Sequence, residues 1–184
     1  VDAPDNRHVT EGYRLLLSLG ALDEEMPDAR SGRRVWRLTP QGRELARLPL
    51  DPRVARIALA ARGTPAQEAG FVLAAALSVQ DPHESPGEAR DAAASAHGQW
   101  RDKRSDFITL LNLWDRWQLA REGANQRQQR RWCQTNYLSW NRMQEWAQVA
   151  AQVQELLGGR DQPAPEPRPL DGPERSRAID ALYA

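Results

Sequence analysis

The stretch LTPQGRELARLPLDPR, residues 38–53, contains two helix starts that use the same chemistry. In Thr39-Pro40 and again in Asp51-Pro52, a side chain that can cap a helix precedes a proline. Proline suits the first position of a helix because the backbone N–H at that position has no partner within the helix. A short amphipathic segment lies between the two starts and is ended by Pro49. The sequence therefore predicts a compact, rigid junction between two helical units.

Before this junction, the pattern of apolar residues predicts a helix, a strand, a loop and a second strand. Residues 8–19 have one apolar face at helical spacing and are followed by a glycine stop. Ala21-Leu22 and residues 35–38 have the composition of strands, and the segment between them is polar and turn-rich. Together with the helix that follows, this order is the outline of a winged helix. We predict a small winged-helix domain over residues 1–52, with a minor β-hairpin wing.

After residue 52, the apolar periodicity is helical throughout. Two segments, Thr64-Pro65-Ala66-Gln67 and Ser85-Pro86-Gly87-Glu88, have the pattern of a capping box. The helix between them is apolar nearly all round and should be buried. A later helix carries five apolar residues on one face: Phe107, Leu110, Leu111, Trp114 and Trp117. A longer helix is predicted over residues 130–157, bent near Asn136. Residues 53–157 are therefore predicted to form an α-helical bundle, which makes the chain mainly α.

Residues 158–184 differ in composition from the bundle. Two glycines at the start of this segment are followed by prolines at alternate positions from 163 to 169. Such a segment is extended and stiff, with a reach of about 3.1 Å per residue. We predict a Pro-rich linker over residues 158–173 and a last short helix over residues 174–184, which either docks on the bundle or stays free.

Charge is balanced over the whole chain but uneven along it. The 184 residues contain 25 basic and 25 acidic side chains, so the formal net charge is +0. This balance excludes a polycation that coats nucleic acid. Residues 100–146, however, contain nine basic and five acidic side chains. Any contact with phosphate should therefore be local.

The remaining composition excludes several kinds of site. Cys133 is the only cysteine, so a disulfide framework is excluded and a reducing cytoplasm is favoured. His8, His83 and His97 are scattered and share no metal-ligand spacing, so no metal site is predicted. No apolar run approaches the roughly 20 residues that a membrane span needs. No nucleophile can be paired with a base, so we predict no catalytic residue.

Five segments follow one another across nearly the whole chain. They are VDAPDNRHVTEGYRLLLSLGAL, LTPQGRELARLPLDPR, GFVLAAALSVQDPHESP, KRSDFITLLNLWDRW and RRWCQTNYLSWNRMQEWAQVAAQV. In combination they resemble the C-terminal accessory region of DEAH-box RNA helicases, and NQRQQRRWC makes the resemblance closest to the bacterial HrpA-type members. In this family the region is a winged helix followed by a helical-bundle ratchet domain. The resemblance implies that the chain is a piece of a longer ATP-dependent RNA helicase.

The resemblance also implies where the chemistry lies. The chain has neither a GxxxxGK[ST] phosphate loop nor an Asp-Glu-Ala-His tetrad. ATP and Mg²⁺ would therefore bind in motor domains elsewhere in the parent protein, and we expect no cofactor in this chain. The implied partners are those motor domains and single-stranded RNA, without a membrane. We expect a monomer in the cytoplasm.

The candidate RNA-binding residues are mostly on the last predicted helices. A mixed arginine and polar surface suits contact with sugar and phosphate without base reading, which a translocating enzyme needs. Its members are Arg127, Arg130, Arg131, Asn136, Ser139 and Arg142. By resemblance, Ser105, Asp106 and Asn112 match family positions near the same channel. The alternative is that these residues form the hydrated outer face of a bundle.

The predicted wing supplies a second candidate surface. Arg33, Arg34 and Trp36 lie in or beside its loop and could touch RNA. The alternative is a hairpin that packs against a motor domain. The other tryptophans offer stacking platforms for bases, but most lie at core-like helical spacing and are predicted to pack inside.

From the resemblance, we expect this region to wall a channel for single-stranded RNA and to couple ATP-driven motor movement to translocation and unwinding. Two rival functions are a stand-alone winged-helix protein that binds duplex DNA and a module that binds other proteins.

Overall fold

The computed structural model describes residues 5–25 and 35–158, and this part of the chain is mainly helical. Its eight helices are α1 (Asn6–Ser18), α2 (Pro40–Leu45), α3 (Pro52–Ala61), α4 (Gln67–Ser78), α5 (Arg90–Gly98), α6 (Asp106–Arg121), α7 (Gln126–Thr135) and α8 (Trp140–Leu157). Strands β1 (Leu22–Glu25) and β2 (Val35–Leu38) form an antiparallel pair, with Leu22 opposite Leu38. The prediction of a mainly α chain with a minor β-hairpin is confirmed.

The junction at residues 38–53 has the predicted caps. The Thr39 hydroxyl accepts a hydrogen bond from the Gly42 N–H (2.9 Å) and donates one to the Gly20 carbonyl (2.7 Å). The Asp51 carboxylate accepts from the Arg53 N–H at 2.9 Å. The prolines that follow both caps begin α2 and α3. Both helix starts were therefore predictable from local chemistry, and Thr39 also ties α2 to the turn after α1.

The two parts of the chain meet in a shared core. Leu45 and Leu48, at the junction, belong to the same buried cluster as Phe71 of α4 and Val153 of α8. A second cluster surrounds Trp117 and Trp146 and continues the core between α4, α6 and α8. Helix α4 borders both clusters, and its residues 69–75 are all buried. The prediction that this helix is buried is confirmed.

Both predicted capping boxes are wrong. Helix α4 begins only at Gln67, after a turn, and no side chain caps it. Instead, the Thr64 hydroxyl donates to the Ala61 carbonyl (2.7 Å) and accepts from the Ala66 N–H (3.2 Å), while the Gln67 side chain accepts from the Gly63 N–H (2.7 Å). At the second site, a 3₁₀ turn (Gly87–Ala89) intervenes before α5, which also has no side-chain cap. At the first site, Thr64 and Gln67 therefore bond within the turn between α3 and α4, and not to the first turn of α4.

The single long helix predicted over residues 130–157 is also wrong. Helix α7 ends at Thr135 and α8 begins at Trp140. Between them, Tyr137 has a positive φ of 53° and Leu138 is buried, so the chain turns sharply rather than bending. Tyr137 lies in a left-handed conformation that interrupts a helix in L-residues.

The apolar face predicted for α6 needs a smaller correction. Phe107 is 38% exposed, whereas Leu113, which was not assigned to the face, is completely buried. Trp117 and Leu111 are buried as predicted. The core reaches this helix from two sides in its middle and leaves Asp106 and Phe107, in its first turn, exposed.

Helices α3 and α4 approach each other closely at Gly70. A Cβ atom placed on Gly70 would overlap the Ala61 side chain. A glycine in a helix usually costs stability, so its presence here reflects the close approach. Gly12 also lies within a helix but has open space around it, since a Cβ atom there would have no heavy atom within 4 Å.

Substituting the two glycines should have opposite effects on stability. We expect Gly70→Ala to lower the free energy of unfolding by about 1–3 kcal/mol because α3 and α4 must move apart. Gly12→Ala, in the exposed middle of α1, should raise it by about 0.5–1 kcal/mol through helix propensity. Urea denaturation followed by circular dichroism measures both. Equal effects of the two changes would contradict the close packing at Gly70.

Candidate nucleic-acid interface

Helix α7 begins with a reciprocal cap that the sequence reading missed. The Asn125 side chain accepts from the Gln128 N–H (3.0 Å), and the Gln128 side chain accepts from the Asn125 N–H (2.8 Å). This is the capping box. Its sequence signal, Asn-x-x-Gln directly after Gly123-Ala124, was available. The cap fixes the first turn of a short helix whose composition is strongly polar.

One face of α7 is a basic groove. Its lining side chains are two glutamines and three arginines: Gln126, Arg127, Arg130, Arg131 and Gln134. Residues three and four apart stand on the same side of a helix, which explains why this set is contiguous. The three arginines are exposed. The structure therefore brings Arg127, Arg130 and Arg131 together as predicted from their spacing, and we call this set the α7 arginine face.

Arg130 is held in place by an aromatic ring. Its guanidinium carbon lies 4.2 Å from the centroid of the Trp140 ring, within the range of a cation–π contact. Trp140 is the first residue of α8, and a hydrogen bond from Gln144 to Gln129 (3.2 Å) joins the same two helices. Arg130 is thus more ordered than an arginine that projects freely into solvent.

The turn between α7 and α8 is bound to a distant segment. The Glu84 N–H donates to the Tyr137 carbonyl and the Ser139 N–H donates to the Pro82 carbonyl, both at 2.8 Å. His83 and Leu138 form an isolated antiparallel bridge between these bonds. We call residues 81–84 and 136–139 together the α7–α8 joint. It fixes the end of the helix that carries the arginine face.

Several predicted RNA-binding side chains hold the fold together at or near this joint. Arg142 donates to the Asp81 carbonyl (2.9 Å), and the Asn136 amide donates to the Trp132 carbonyl (2.8 Å). Ser139 sits at the N-cap of α8, although its side chain makes no cap hydrogen bond. The Asn112 amide donates to the Trp100 carbonyl (2.9 Å). The side chains of Arg142, Asn136 and Asn112 therefore each make a hydrogen bond within the protein.

Ser105 and Asp106 lie at the start of α6, in a second basic loop. The Ser105 hydroxyl accepts from the Ile108 N–H at 3.5 Å, and Asp106 is exposed in the first turn. The Asp102 carboxylate accepts from the Arg104 and Ser105 N–H groups and orders the loop. Three exposed cations surround this site: Arg101, Lys103 and Arg104. The sequence reading did not assign them, although three basic residues within four positions are visible in the sequence.

Of the wing candidates, only Trp36 lies within the described residues. Arg33 and Arg34 lie outside them. Trp36 is half-buried and stacks on Tyr13 of α1, with ring centroids 5.2 Å apart and an interplanar angle of 21°. One face of its ring is therefore covered by the protein itself. Trp100, Trp117 and Trp146 are buried, in agreement with packing for Trp117 and Trp146.

Two of the histidines described as scattered are in contact. The rings of His83 and His97 meet edge to face with centroids 4.5 Å apart, beside the buried Trp100. His83 Nδ1 lies 2.7 Å from an Asp81 oxygen, and Trp100 Nε1 donates to His83 Nε2 at 3.2 Å. The Trp100 bond requires an unprotonated Nε2, so Nδ1 carries the proton that Asp81 accepts. The sequence interval of 14 residues gave no signal of this contact.

The histidine cluster alters the acid beside it. Partial burial alone would raise the pKa of Asp81, but hydrogen bonds from the backbone and ring of His83 oppose this. Where the imidazoles of His83 and His97 are protonated, their charges act in the same direction as these hydrogen bonds, and together these effects lower the pKa of Asp81 below its usual value. His97 Nε2 lies 3.1 Å from the Tyr137 carbonyl, which links the cluster to the α7–α8 joint.

The described residues contain neither a reactive thiol nor a metal cluster. Burial, with a smaller contribution from the charge of Glu84, raises the pKa of Cys133 to about 12. The thiol is therefore protonated at neutral pH and unsuited to nucleophilic chemistry. Within residues 5–25 and 35–158, no three His, Cys, Asp or Glu side chains are placed to hold a metal ion. No helix in this part of the chain is long and apolar enough to cross a membrane.

The lowered pKa of Asp81 predicts a pH dependence of stability. Because the native pKa of Asp81 is lowered, its contribution is complete above the unfolded-state pKa near 4 and is lost as pH falls through the native value. Asp81→Asn removes this charge, so the free energy of unfolding of the variant should fall less than that of the unchanged protein as the pH drops below about 4. The difference should be less than about 1 kcal/mol because the side chain is largely exposed. Denaturation between pH 2 and 7 measures it, with Asp91→Asn as the control.

Comparisons with known proteins show which proteins the chain is similar to. No family model matches the chain. It is 36% identical over 158 residues to the ATP-dependent RNA helicase HrpA of Escherichia coli, which covers 85% of the chain and 12% of that protein. It is 40% identical over 153 residues to the HrpA homolog of Haemophilus influenzae, covering 83% and 12%. The human ATP-dependent DNA/RNA helicase DHX36 is 31% identical over 160 residues, covering 86% and 15%.

The chain therefore spans less than a sixth of the length of these relatives. The similarity extends over most of this chain and is shared by bacterial and eukaryotic proteins named as ATP-dependent helicases. On this evidence, the chain matches one region of the HrpA-type RNA helicases over more than four fifths of its own length.

Proposed function

We propose that this chain is the accessory region of an ATP-dependent RNA helicase that walls the channel for single-stranded RNA. In this proposal residues 1–52 are a winged helix, residues 53–157 are the ratchet domain and residues 158–184 are a Pro-rich linker with a short final helix. ATP and Mg²⁺ bind in motor domains of the same polypeptide. The region works as a monomer in the cytoplasm and has no catalytic residue of its own.

The observation that carries the proposal is the α7 arginine face. Three exposed arginines and two glutamines line one groove, so its described side chains are cationic or neutral donors and acceptors. Guanidinium groups bind phosphate oxygens in a fixed fork geometry. Such contacts hold the strand without reading its sequence, as expected of a protein that must move along RNA.

Two further features support RNA contact by this face. Arg130 is already ordered on Trp140, so less side-chain freedom is lost when it binds phosphate. Arg142 and Asn136 each donate a hydrogen bond to a backbone carbonyl at or beside the α7–α8 joint. We propose that these two position the arginine face, while Arg127, Arg130 and Arg131 contact the RNA backbone. The loop with Arg101, Lys103 and Arg104 would supply a second group of phosphate contacts.

The N-terminal unit has the surface expected of an element that packs on another domain. Helix α1 has no fully buried residue, and four large apolar side chains on α1 and the hairpin are 38–40% exposed: Val9, Tyr13, Val35 and Leu38. Exposed apolar side chains that lie on adjacent elements favour a protein contact. We propose that this surface meets the motor domains and transmits their movement to the bundle.

The arginine face can be tested in the full-length helicase. We expect Arg127→Gln/Arg130→Gln/Arg131→Gln to weaken single-stranded RNA binding about tenfold or more at moderate salt. The slope of log affinity against log salt should fall by about 2, since each phosphate contact on a single strand contributes about 0.7. Unwinding per ATP hydrolysed should also fall. Fluorescence anisotropy and a strand-displacement assay measure these quantities.

The matched control removes the same charge elsewhere. Arg47, Arg53 and Arg90 are exposed and lie outside the groove. Their triple glutamine variant should retain both the affinity and the salt slope. If the two triple variants lose the same affinity, the contribution is general electrostatics and the α7 arginine face is not the RNA site.

The role of Trp140 can be separated from charge. Trp140→Leu removes the ring beneath Arg130 but leaves all three positive charges. We expect RNA affinity to fall several-fold, as the loss of about 1 kcal/mol of cation–π ordering would produce. The salt slope should stay unchanged because the number of phosphate contacts is the same. A reduced slope would show that Arg130 no longer reaches the RNA at all.

A further inference from the structure

A second groove, on a different surface from the arginine face, lies between α4, α6 and α8. Its floor is apolar and includes Phe71, Val72 and Trp114. Trp114 packs on the buried Trp146 with ring centroids 5.0 Å apart, so this part of the floor is rigid. The α8 side of the groove is made by three alanines at positions 147, 150 and 151. Because these side chains are small, the space between the helices stays open.

The rim of this groove carries negative charge. Glu68 on α4 and Glu155 on α8 line it. Burial, together with the charge of Asp115, raises the pKa of Glu68. Carboxylates in this setting favour a cation that enters beside them. Arg121 also lines the rim and approaches the Trp117 ring at 5.7 Å. The groove therefore suits an apolar segment with basic side chains and a nearby acidic one.

We propose that this groove is the docking site for residues 174–184 of the same chain, ERSRAIDALYA, which lie outside the described residues. Ile179, Leu182 and Tyr183 provide apolar groups for the floor. Arg175 and Arg177 provide the cations for the acidic rim, and the segment also contains Glu174 and Asp180 for Arg121. The segment therefore complements the groove in its apolar groups and in both signs of charge.

The covalent connection of residues 174–184 to α8 favours this segment over a separate molecule. Helix α8 ends at Leu157, only two residues after Glu155 of the rim. The 16 residues from 158 to 173 can span about 50 Å at 3.1 Å per residue, whereas residues 147–155 of α8 cover only about 12 Å. A tethered segment also meets the groove at a higher effective concentration than a separate molecule does. Even a weak contact would therefore be occupied, and it would close the Pro-rich segment into a loop against the bundle.

Photo-crosslinking within the 184-residue chain tests this docking. Tyr183 is replaced by p-benzoylphenylalanine, and crosslinked peptides are mapped by mass spectrometry after irradiation of dilute protein. We expect most intramolecular crosslinks to join the probe to residues 68–72, 114–121 or 147–155. Crosslinks spread over the surface would overturn the proposal. Predominant crosslinks between two molecules would also overturn it, because the occupant would then be a second copy.

A blocking variant with a matched control sharpens this result. Ala151 lines the groove, whereas Gln152 is its neighbour on α8 and does not, and both are exposed. Ala151→Arg should reduce the groove crosslinks at least fivefold, and Gln152→Arg should leave them unchanged. Circular dichroism confirms that both variants keep their helices. Equal crosslinking in the two variants would overturn the proposal.

A charge exchange tests the same contact without blocking the groove. Glu68→Lys/Glu155→Lys should lower the crosslink yield at least threefold, and so should Arg175→Glu/Arg177→Glu. Combining the four changes should restore most of the yield, because the charges are again complementary. Glu145→Lys, on the same helix but outside the groove, is the control and should have no effect. If both double variants lose crosslink yield and the combined variant does not regain it, the acidic rim and the two arginines are not in contact, and the proposal is overturned.

Discussion

The burial of α4 is the constraint on which the other elements depend. Seven consecutive residues, 69–75, are buried, so this helix needs neighbours on every side. Gly70 allows α3 to approach one side closely, and Phe71 joins the cluster that includes the α2 junction. On another side, the Trp146 indole donates to the Val72 carbonyl at 2.9 Å, which satisfies a buried donor and fixes the register of α8. Helix α6 completes the enclosure through Trp117.

The position of the arginine face follows from this core although α7 does not contact α4 extensively. A ten-residue polar helix is not stable alone, so tertiary contacts must hold it. Cys133 is fully buried on its inner side, and Trp132 contacts Trp117 of α6 with ring centroids 5.7 Å apart. The Asn125 cap and the α7–α8 joint fix its two ends. The arginines can therefore project from a rigid surface, as a ligand contact requires.

The predicted candidates separate into two groups by what their polar atoms do. Arg127, Arg130 and Arg131 are exposed, and their helical spacing placed them together. Asn112, Asn136 and Arg142 each donate a hydrogen bond to a backbone carbonyl within the protein. Composition and spacing show that a donor exists, but they do not show which contacts it makes within the fold. For this reason the second group could be told from the first only in the structure.

The sequence by itself determined the features that depend on neighbouring residues: the Thr39 and Asp51 caps, the buried α4, the arginine spacing on α7 and the similarity to the helicase family. Tertiary structure alone decided the sharp turn at Tyr137, whose carbonyl accepts a hydrogen bond from the distant Glu84 N–H. It also decided the contact of His83 with His97 and the groove beside Trp114. Caps and periodicity act over a few residues, whereas these contacts form only when distant segments are brought together by burial of the core.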